Sequence, residues 1–121
     1  MAKILLVDDH PDSREIVSQL LEAHGHSTRC FPSAEDALGA IATEVPDAVI
    51  TDQRLPGISG IDLLRQLRLR FAKLAVILLS ADDTLRDEAL AAGAAGFWLK
   101  GSDDLFDGIE QLGISFNHAA G

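Results

Sequence analysis

Residues 47–52 read Asp47-Ala48-Val49-Ile50-Thr51-Asp52, a short apolar segment that ends at a carboxylate. Residues 3–9 read Lys3-Ile4-Leu5-Leu6-Val7-Asp8-Asp9 and repeat the pattern, ending at two carboxylates. Continuous apolar runs of this length, rich in β-branched side chains, are typical of strands that are buried on both faces of a parallel sheet. We therefore predict two central strands whose carboxyl ends carry acidic residues.

Strand and helix patterns alternate along the rest of the chain. Further strands are predicted at residues 27–31, 74–79 and 97–99. Helices are predicted between Pro11 and Gly25, after an N-cap at Ser33, and at residues 61–70, 84–92 and 102–112. Connections of helical length favour right-handed crossovers between parallel strands. The predicted fold class is therefore α/β, a three-layer sandwich with five strands and five helices.

The length and composition are those of one globular domain. The chain has 121 residues, of which 47% are hydrophobic and 24% are charged, and this length is enough to bury a core. We assign residues 1–114 to the domain and residues 115–121 to a C-terminal tail or the start of a linker. Cys30 is the only cysteine, and we expect it to be a buried apolar residue in a reducing compartment.

Charge and hydropathy exclude several function classes. The formal net charge of −9 would repel a phosphate backbone, so we expect no direct nucleic-acid binding by this chain. The sequence has no apolar run of roughly 20 residues and no N-terminal signal segment, so we expect a cytoplasmic protein that does not enter a membrane.

Polar residues follow several of the predicted strands. In an open parallel sheet, ligands bind beyond the carboxyl ends of the strands. The residues at these ends are Asp8, Asp9, Asp52, Ser80 and Lys100. We expect them to share one rim of the sheet, which makes this rim the candidate site.

These residue types favour phosphoryl chemistry assisted by a metal ion. Clustered carboxylates repel one another unless a cation compensates for them, and Mg²⁺ prefers such hard oxygen ligands. A carboxylate can attack a phosphoryl group and form an aspartyl phosphate if the incoming charge is neutralised. The ammonium and the hydroxyl on the same rim would contribute to that neutralisation.

Several motifs in this order resemble the receiver domains of bacterial response regulators, the family that includes the chemotaxis regulator. They are Leu6-Val7-Asp8-Asp9, Thr51-Asp52-Gln53-Arg54-Leu55-Pro56-Gly57 with Gly60, Leu79-Ser80-Ala81, and residues 92–100, which read Ala-Gly-Ala-Ala-Gly-Phe-Trp-Leu-Lys. The resemblance covers nearly the whole chain. It implies a doubly wound flavodoxin-like sandwich with the strand order 2-1-3-4-5.

The resemblance also implies a role for each site residue. Asp52 would be the phosphoacceptor, and Asp8, Asp9, Asp52 and the backbone carbonyl of Arg54 would hold Mg²⁺. Lys100 would pair with the phosphoryl oxygens and Ser80 would donate a hydrogen bond to one of them. Ser80 and Phe97 would then act as the switch residues.

The function implied by the resemblance is a phosphorylation-dependent signalling switch. The chain would accept the phosphoryl group from a phosphohistidine of a sensor histidine kinase or a phosphotransfer protein, and would slowly hydrolyse the product. This self-phosphorylation differs from the activity of a conventional enzyme. The face formed by helix 4, strand 5 and helix 5 would change and alter binding to a fused output domain or a downstream protein.

Other functions remain open from the sequence. Gly101 replaces the proline that usually follows the lysine, and Phe97 lacks the hydroxyl of the tyrosine often found there, so a phosphorylation-independent docking domain is the main alternative. A phosphohydrolase of the haloacid dehalogenase type would need an Asp-x-Asp pair after the first strand. A flavodoxin would need hydroxyls and amides in the first loop, which is acidic here.

Three further side chains near the rim carry hypotheses. Arg54 and Asp82 lie two residues after Asp52 and Ser80, so their opposite charges could pair across the pocket mouth and hinder an attacking water. His10 follows the acidic pair but has no second His or Cys at ligand spacing, so we do not expect a transition-metal role. The remaining histidines are expected at the surface.

Overall fold

The computed structural model describes residues 2–120, with side-chain surroundings for residues 2–112. Within this part of the chain the strands are β1 (Lys3–Val7), β2 (Ser27–Phe31), β3 (Ala48–Asp52), β4 (Ala75–Ser80) and β5 (Gly96–Leu99). They form one parallel sheet in the order β2-β1-β3-β4-β5. The predicted strand order is confirmed.

Five helices connect and flank the strands within residues 2–120. They are α1 (Pro11–Ala23), α2 (Ala34–Thr43), α3 (Gly60–Arg70), α4 (Arg86–Ala91) and α5 (Asp104–Ala120). Helix α1 begins with a proline, which has no backbone N–H to leave unpaired. The hydroxyl of Ser33 accepts a hydrogen bond from Asp36 N at 3.2 Å and so caps α2 as predicted.

Two helices differ from their predicted bounds. The segment predicted as one helix over residues 84–92 starts with a 3₁₀ turn at Asp83–Leu85. This turn forms because the Asp82 carboxylate accepts a hydrogen bond from Thr84 N at 3.0 Å. Helix α5 continues to Ala120, past the predicted end at residue 112. Gly113 alone does not end it, since glycine costs a helix only about 1 kcal/mol relative to alanine.

Apolar side chains cover both faces of the sheet. On one face, Leu6 and Ile50 pack with Val17 of α1 and Ile109 of α5. The other face packs against α2 and α3, with Leu5, Val49, Ile41 and Leu64 in the cluster. Successive residues of β1 and β3 therefore enter opposite cores, which explains why these strands have no polar alternation.

The fifth strand also divides its side chains between the two faces. Phe97 packs with Ile61, Leu78 and Ala89, whereas Trp98 belongs to the core beside Ile109. This opposite placement is the one predicted from strand alternation. Gly108 of α5 lies directly against Trp98, and an added Cβ there would overlap the indole.

Two single residues differ from the sequence-based expectations. Cys30 is exposed and belongs to β2, which lies at the edge of the sheet. His26 is buried, with 3% of its surface exposed, and its Nδ1 lies 3.3 Å from Ala2 N as an acceptor. This burial lowers the pKa of His26 below its ordinary value. No helix within residues 2–120 is both long enough and apolar enough to cross a bilayer.

Candidate functional site

The carboxyl ends of β3 and β5 bring two opposite charges into contact. Lys100 Nζ lies 2.9 Å from Asp52 Oδ1, and the side chains are 33% and 5% exposed, respectively. The backbone fixes this approach, since Lys100 N donates a hydrogen bond to Ser80 O at 2.8 Å. Lys100 and Asp52 therefore meet at the carboxyl-end rim of the sheet, where both residues were predicted to lie.

The turn after Lys100 forms without the proline that the family usually has there. The bond between Lys100 and Gly101 is trans, and Gly101 adopts a φ of 81°, a conformation that glycine reaches without steric cost. The Asp104 carboxylate accepts a hydrogen bond from Leu99 N at 2.9 Å, and Ser102 Oγ donates one to Leu99 O at 2.7 Å. These bonds hold the end of β5, so replacing proline with glycine does not displace the lysine from Asp52.

Burial makes Asp52 an unfavourable place for a negative charge. The pKa of Asp52 is raised, first because burial penalises the ionised form and also because Asp8 is nearby. The Lys100 ammonium and the hydrogen bond from Gln53 N, at 3.0 Å, act in the opposite direction. A further cation near Asp52 would favour the ionised carboxylate, in the same direction as Lys100.

The ends of β1 and β3 form an acidic cluster. One ligand atom each from Asp8, Asp9, His10 and Asp52 can be chosen so that all lie within 4.8 Å of one another. Asp8 is fully buried, and its Oδ2 has no hydrogen-bond partner among the residues that the structure describes. Buried polar atoms are rarely left without a partner, because desolvation then goes uncompensated. A buried, unpartnered carboxylate oxygen beside two further carboxylates fits the hard ligand set that Mg²⁺ prefers.

An open cleft of about 840 Å³ leads to Asp52 and Lys100. Its walls include Ser80, Arg54 and Asp82. Ser80 Oγ accepts a hydrogen bond from Asp82 N at 3.0 Å. The Ser80 hydroxyl is therefore in reach of the cleft, in contact with the loop that follows β4.

Arg54 and Asp82 flank the cleft as predicted but do not form the proposed ion pair. Among the residues whose side chains are described, no guanidinium nitrogen of Arg54 lies within 4 Å of a carboxylate oxygen of Asp82. Asp82 Oδ1 instead accepts hydrogen bonds from Thr84 N at 3.0 Å and Thr84 Oγ1 at 2.5 Å. These bonds are the main reason why the pKa of Asp82 is lowered, and the charge of Arg54 adds a smaller effect.

The Phe97 side chain lies inward, which is the position expected for one of the two states of the hypothesised switch. It is 5% exposed, and the guanidinium of Arg86 covers its ring with the carbon 4.8 Å from the ring centroid. Arg86 also pairs with Asp83 at 3.1 Å and lies 3.8 Å from Asp104 Oδ2. A cation over an aromatic face is attractive, so Arg86 supports the ring where a tyrosine hydroxyl is absent.

Sequence reasoning missed the residues that position the loop after β3. Gln53 Oε1 accepts a hydrogen bond from Ile61 N at 2.9 Å, and Gln53 O accepts one from Gly60 N at 3.0 Å. A Cβ at position 60 would overlap the backbone oxygen of Asp52, so only glycine allows this close approach. The sequence signal for this close approach was Gly60 itself, which belongs to the motif that begins at Thr51. Nothing local in the sequence indicated the contacts of Arg86 or Asp104.

Comparisons with known proteins identify the family of this domain. The family model for the response regulator receiver domain matches residues 4–109. Sensory/regulatory protein RpfC of Xanthomonas campestris pv. campestris is 38% identical, and the alignment covers 98% of this chain and 17% of RpfC. Response regulator protein FleR of Pseudomonas aeruginosa is 36% identical over 99% of this chain and 25% of FleR. The chain thus spans about a quarter or less of the length of these relatives.

Solved structures agree with this assignment. Response regulator protein TrrA of Thermotoga maritima, solved in complex with Mg²⁺-BeF, superposes with a TM-score of 0.83 at 30% sequence identity. The match covers 93% of this chain and 99% of TrrA. The chemotaxis response regulator CheY4 of Vibrio cholerae, at 24% identity and a TM-score of 0.84, shares the flavodoxin-like fold. Because the family model covers most of the sequence, this chain belongs to the response regulator receiver domains of two-component systems.

Proposed function

We propose that the chain is a phosphorylation switch in which Asp52 accepts a phosphoryl group with the help of Mg²⁺. One observation carries the proposal: a buried carboxylate contacts an ammonium at 2.9 Å and shares a cluster with Asp8 and Asp9. Membership in the receiver family and the TrrA complex with Mg²⁺-BeF support the same chemistry.

In the proposed transfer, a carboxylate oxygen of Asp52 attacks the phosphorus of a phosphohistidine. The new P–O bond forms as the P–N bond breaks, and the imidazole of the donor leaves and takes up a proton. Lys100 would pair with the phosphoryl oxygens, and the Ser80 hydroxyl would donate a hydrogen bond to one of them. Asp8, Asp9, Asp52 and the Arg54 carbonyl would hold Mg²⁺. When bound, this ion supplies neutralisation of the charge on the transferred group.

Return to the resting state is proposed to occur by slow hydrolysis. A water attacks the phosphorus, the bond to Asp52 breaks, and the products are inorganic phosphate and the free carboxylate. Arg54 and Asp82 border the cleft through which this water would approach. We therefore assign them a role in setting the lifetime of the phosphorylated form.

The proposed output is a population shift of the face formed by α4, β5 and α5. Movement of the Ser80 hydroxyl toward the phosphoryl group would break its hydrogen bond with Asp82 N, which holds the loop before α4. Phe97 would then stabilise one packing of α4 against β5. We propose a sensor histidine kinase or a phosphotransfer protein as the donor, a fused output domain or a downstream protein as the target, and the cytoplasm as the location.

Incubation with Mg²⁺ and acetyl phosphate tests the phosphoacceptor. The intact mass is expected to rise by one phosphoryl group, and this gain should disappear in Asp52→Asn. Asp47→Asn is the matched control, because Asp47 is exposed and precedes β3 at the opposite end of the sheet. That variant should be phosphorylated as the unchanged protein is.

Two outcomes would contradict the proposal. A mass gain that persists in Asp52→Asn would place the modification elsewhere. A folded protein that gains no mass with Mg²⁺ and either acetyl phosphate or a phosphorylated histidine kinase would instead favour a phosphorylation-independent docking domain.

A further inference from the structure

His10 adds a nitrogen donor to the acidic cluster. Its Nδ1 lies 3.0 Å from Asp9 Oδ1 and 3.7 Å from Asp8 Oδ1. Its backbone N donates a hydrogen bond to Asp8 Oδ1 at 2.9 Å, which fixes the two residues relative to each other. The ring is 69% exposed, so it can turn toward the cluster without disturbing the core.

The spacing of these atoms suits a single metal ion. Neighbouring ligands that each lie about 2.1 Å from a metal are about 3 Å apart in octahedral or tetrahedral geometry. The imidazole nitrogen is already at that distance from Asp9, and all four donors lie within 4.8 Å of one another. The buried Asp8 Oδ2, which lacks a hydrogen-bond partner within the described part of the chain, gives an independent sign that a cation completes the cluster.

The nitrogen changes which cation the site prefers. Mg²⁺ favours oxygen ligands and keeps several waters, whereas imidazole favours the later first-row ions, whose affinities rise from Mn²⁺ through Co²⁺ toward Cu²⁺. A second His or Cys is not required for this preference, because three carboxylates supply the remaining donors. One nitrogen with three carboxylates is therefore a mixed ligand set.

We infer that His10 ligates the metal through its ring and makes the acidic pocket a site for late first-row divalent cations, which would compete with Mg²⁺. This inference rests on the cation-binding part of the proposed function but not on phosphorylation of Asp52. The alternative is that His10 acts only as a counter-charge for Asp9, in which case any bound cation would replace the imidazole.

Metal titrations of His10→Gln separate these two roles. His24→Gln is the control, because His24 is an exposed histidine at the other end of α1. Calorimetric titration with Co²⁺ or Zn²⁺ should show that His10→Gln binds these ions at least about tenfold more weakly. Removing a residue that only hydrogen-bonds to a metal ligand already weakens metal binding by about 10- to 100-fold, so removing a ligand should cost at least the lower value. The affinity for Mg²⁺ should change much less, and His24→Gln should match the unchanged protein.

Nuclear magnetic resonance with Co²⁺ gives a direct readout of ligation. A paramagnetically shifted imidazole signal should appear in the unchanged protein and in His24→Gln but not in His10→Gln. Equal changes in Mg²⁺ and Co²⁺ affinity, or no change in either, would overturn the inference.

The failure of this inference is distinguishable from that of the proposed function. If the protein is phosphorylated in Mg²⁺ but His10→Gln binds Co²⁺ as tightly as the unchanged protein does, only the ligand role of His10 is refuted. Selective loss of Co²⁺ binding in a protein that acetyl phosphate does not modify would refute the switch alone.

Discussion

Replacing Asp8 with asparagine should stabilise the protein in the absence of divalent cations. Asp8 is fully buried, and one of its oxygens has no hydrogen-bond partner in the portion of the chain that the structure describes. Asparagine is nearly isosteric and can still accept the hydrogen bond that His10 N donates at 2.9 Å. Its amide would also place a donor, in place of a charge, beside the Asp52 carboxylate.

The size of the effect follows from the geometry. Unit charges on Asp8 and Asp52 within 4.8 Å of each other repel by roughly 3.5 kcal/mol at an effective dielectric constant of about 20. A buried polar atom without a partner costs a further ~1–3 kcal/mol. Because Lys100 offsets part of the repulsion through its contact with Asp52, we expect Asp8→Asn to raise the free energy of unfolding by about 1–3 kcal/mol.

Magnesium should reduce or reverse this difference. A ligand present at about 100 times its Kd stabilises the folded state by about 2.7 kcal/mol. The unchanged protein should gain this stabilisation in full, whereas Asp8→Asn has lost a charged ligand and should gain less.

Urea unfolding with and without Mg²⁺ measures both effects. Asp62→Asn is the control, because Asp62 is exposed in α3 and pairs only weakly with Arg65, at 3.5 Å. That variant should remain within about 0.5 kcal/mol of the unchanged protein in both conditions. An Asp8→Asn protein that is destabilised without Mg²⁺, or that gains as much from Mg²⁺ as the unchanged protein, would refute the reasoning.

Other changes address the lifetime, the pH dependence and the packing. Alanine at both Arg54 and Asp82 is expected to speed loss of phosphate several-fold, followed by intact mass after the donor is removed; an unchanged decay rate would contradict it. The pKa of His26 is lowered in the folded state, so the unfolded state binds the proton more readily and stability is lost as the pH falls below about 6.5. His26→Gln should flatten this part of the profile in urea unfolding between about pH 8 and pH 5; a parallel profile would contradict it. Gly108→Ala should cost about 1–3 kcal/mol by overpacking against the indole, whereas Gly39→Ala, which meets nothing within 4 Å, should stabilise by about 0.5–1 kcal/mol; urea unfolding distinguishes these opposite signs.

The sheet was predictable because its signals are local and repeated. Residues 4–7 and 48–52 are buried, and the sequence shows this as the apolar runs at residues 4–7 and 48–50. The carboxyl ends of parallel strands share one edge of a sheet, so the meeting of Asp52 with Lys100 followed from the strand order. The sequence alone is therefore sufficient to predict that these two residues share one site.

What could not be predicted depends on neighbours that are distant in sequence. Cys30 and His26 were assigned the wrong exposure because residue type gives only an average preference, whereas exposure depends on strand position and local packing. The hydrogen bonds from Thr84 to Asp82 also compete with the ion pair between Arg54 and Asp82 that their opposite charges suggested. Side-chain competition of this kind is decided by geometry that the sequence pattern does not contain.

The strand order also explains why the cation opposite Asp52 is a lysine. β4 lies between β3 and β5, and neighbouring strands are about 4.8 Å apart, so the ends of β3 and β5 are separated by about 10 Å. A side chain on β5 must cross that gap, and the four-carbon stem of Lys100 does so to reach Asp52 at 2.9 Å. The residue at the end of β4 lies beside Asp52 and needs only a short side chain, which Ser80 provides. Side-chain length at each strand end is thus set by the number of strands to be crossed, and a shorter cation at the end of β5 would leave the Asp52 carboxylate buried without its partner.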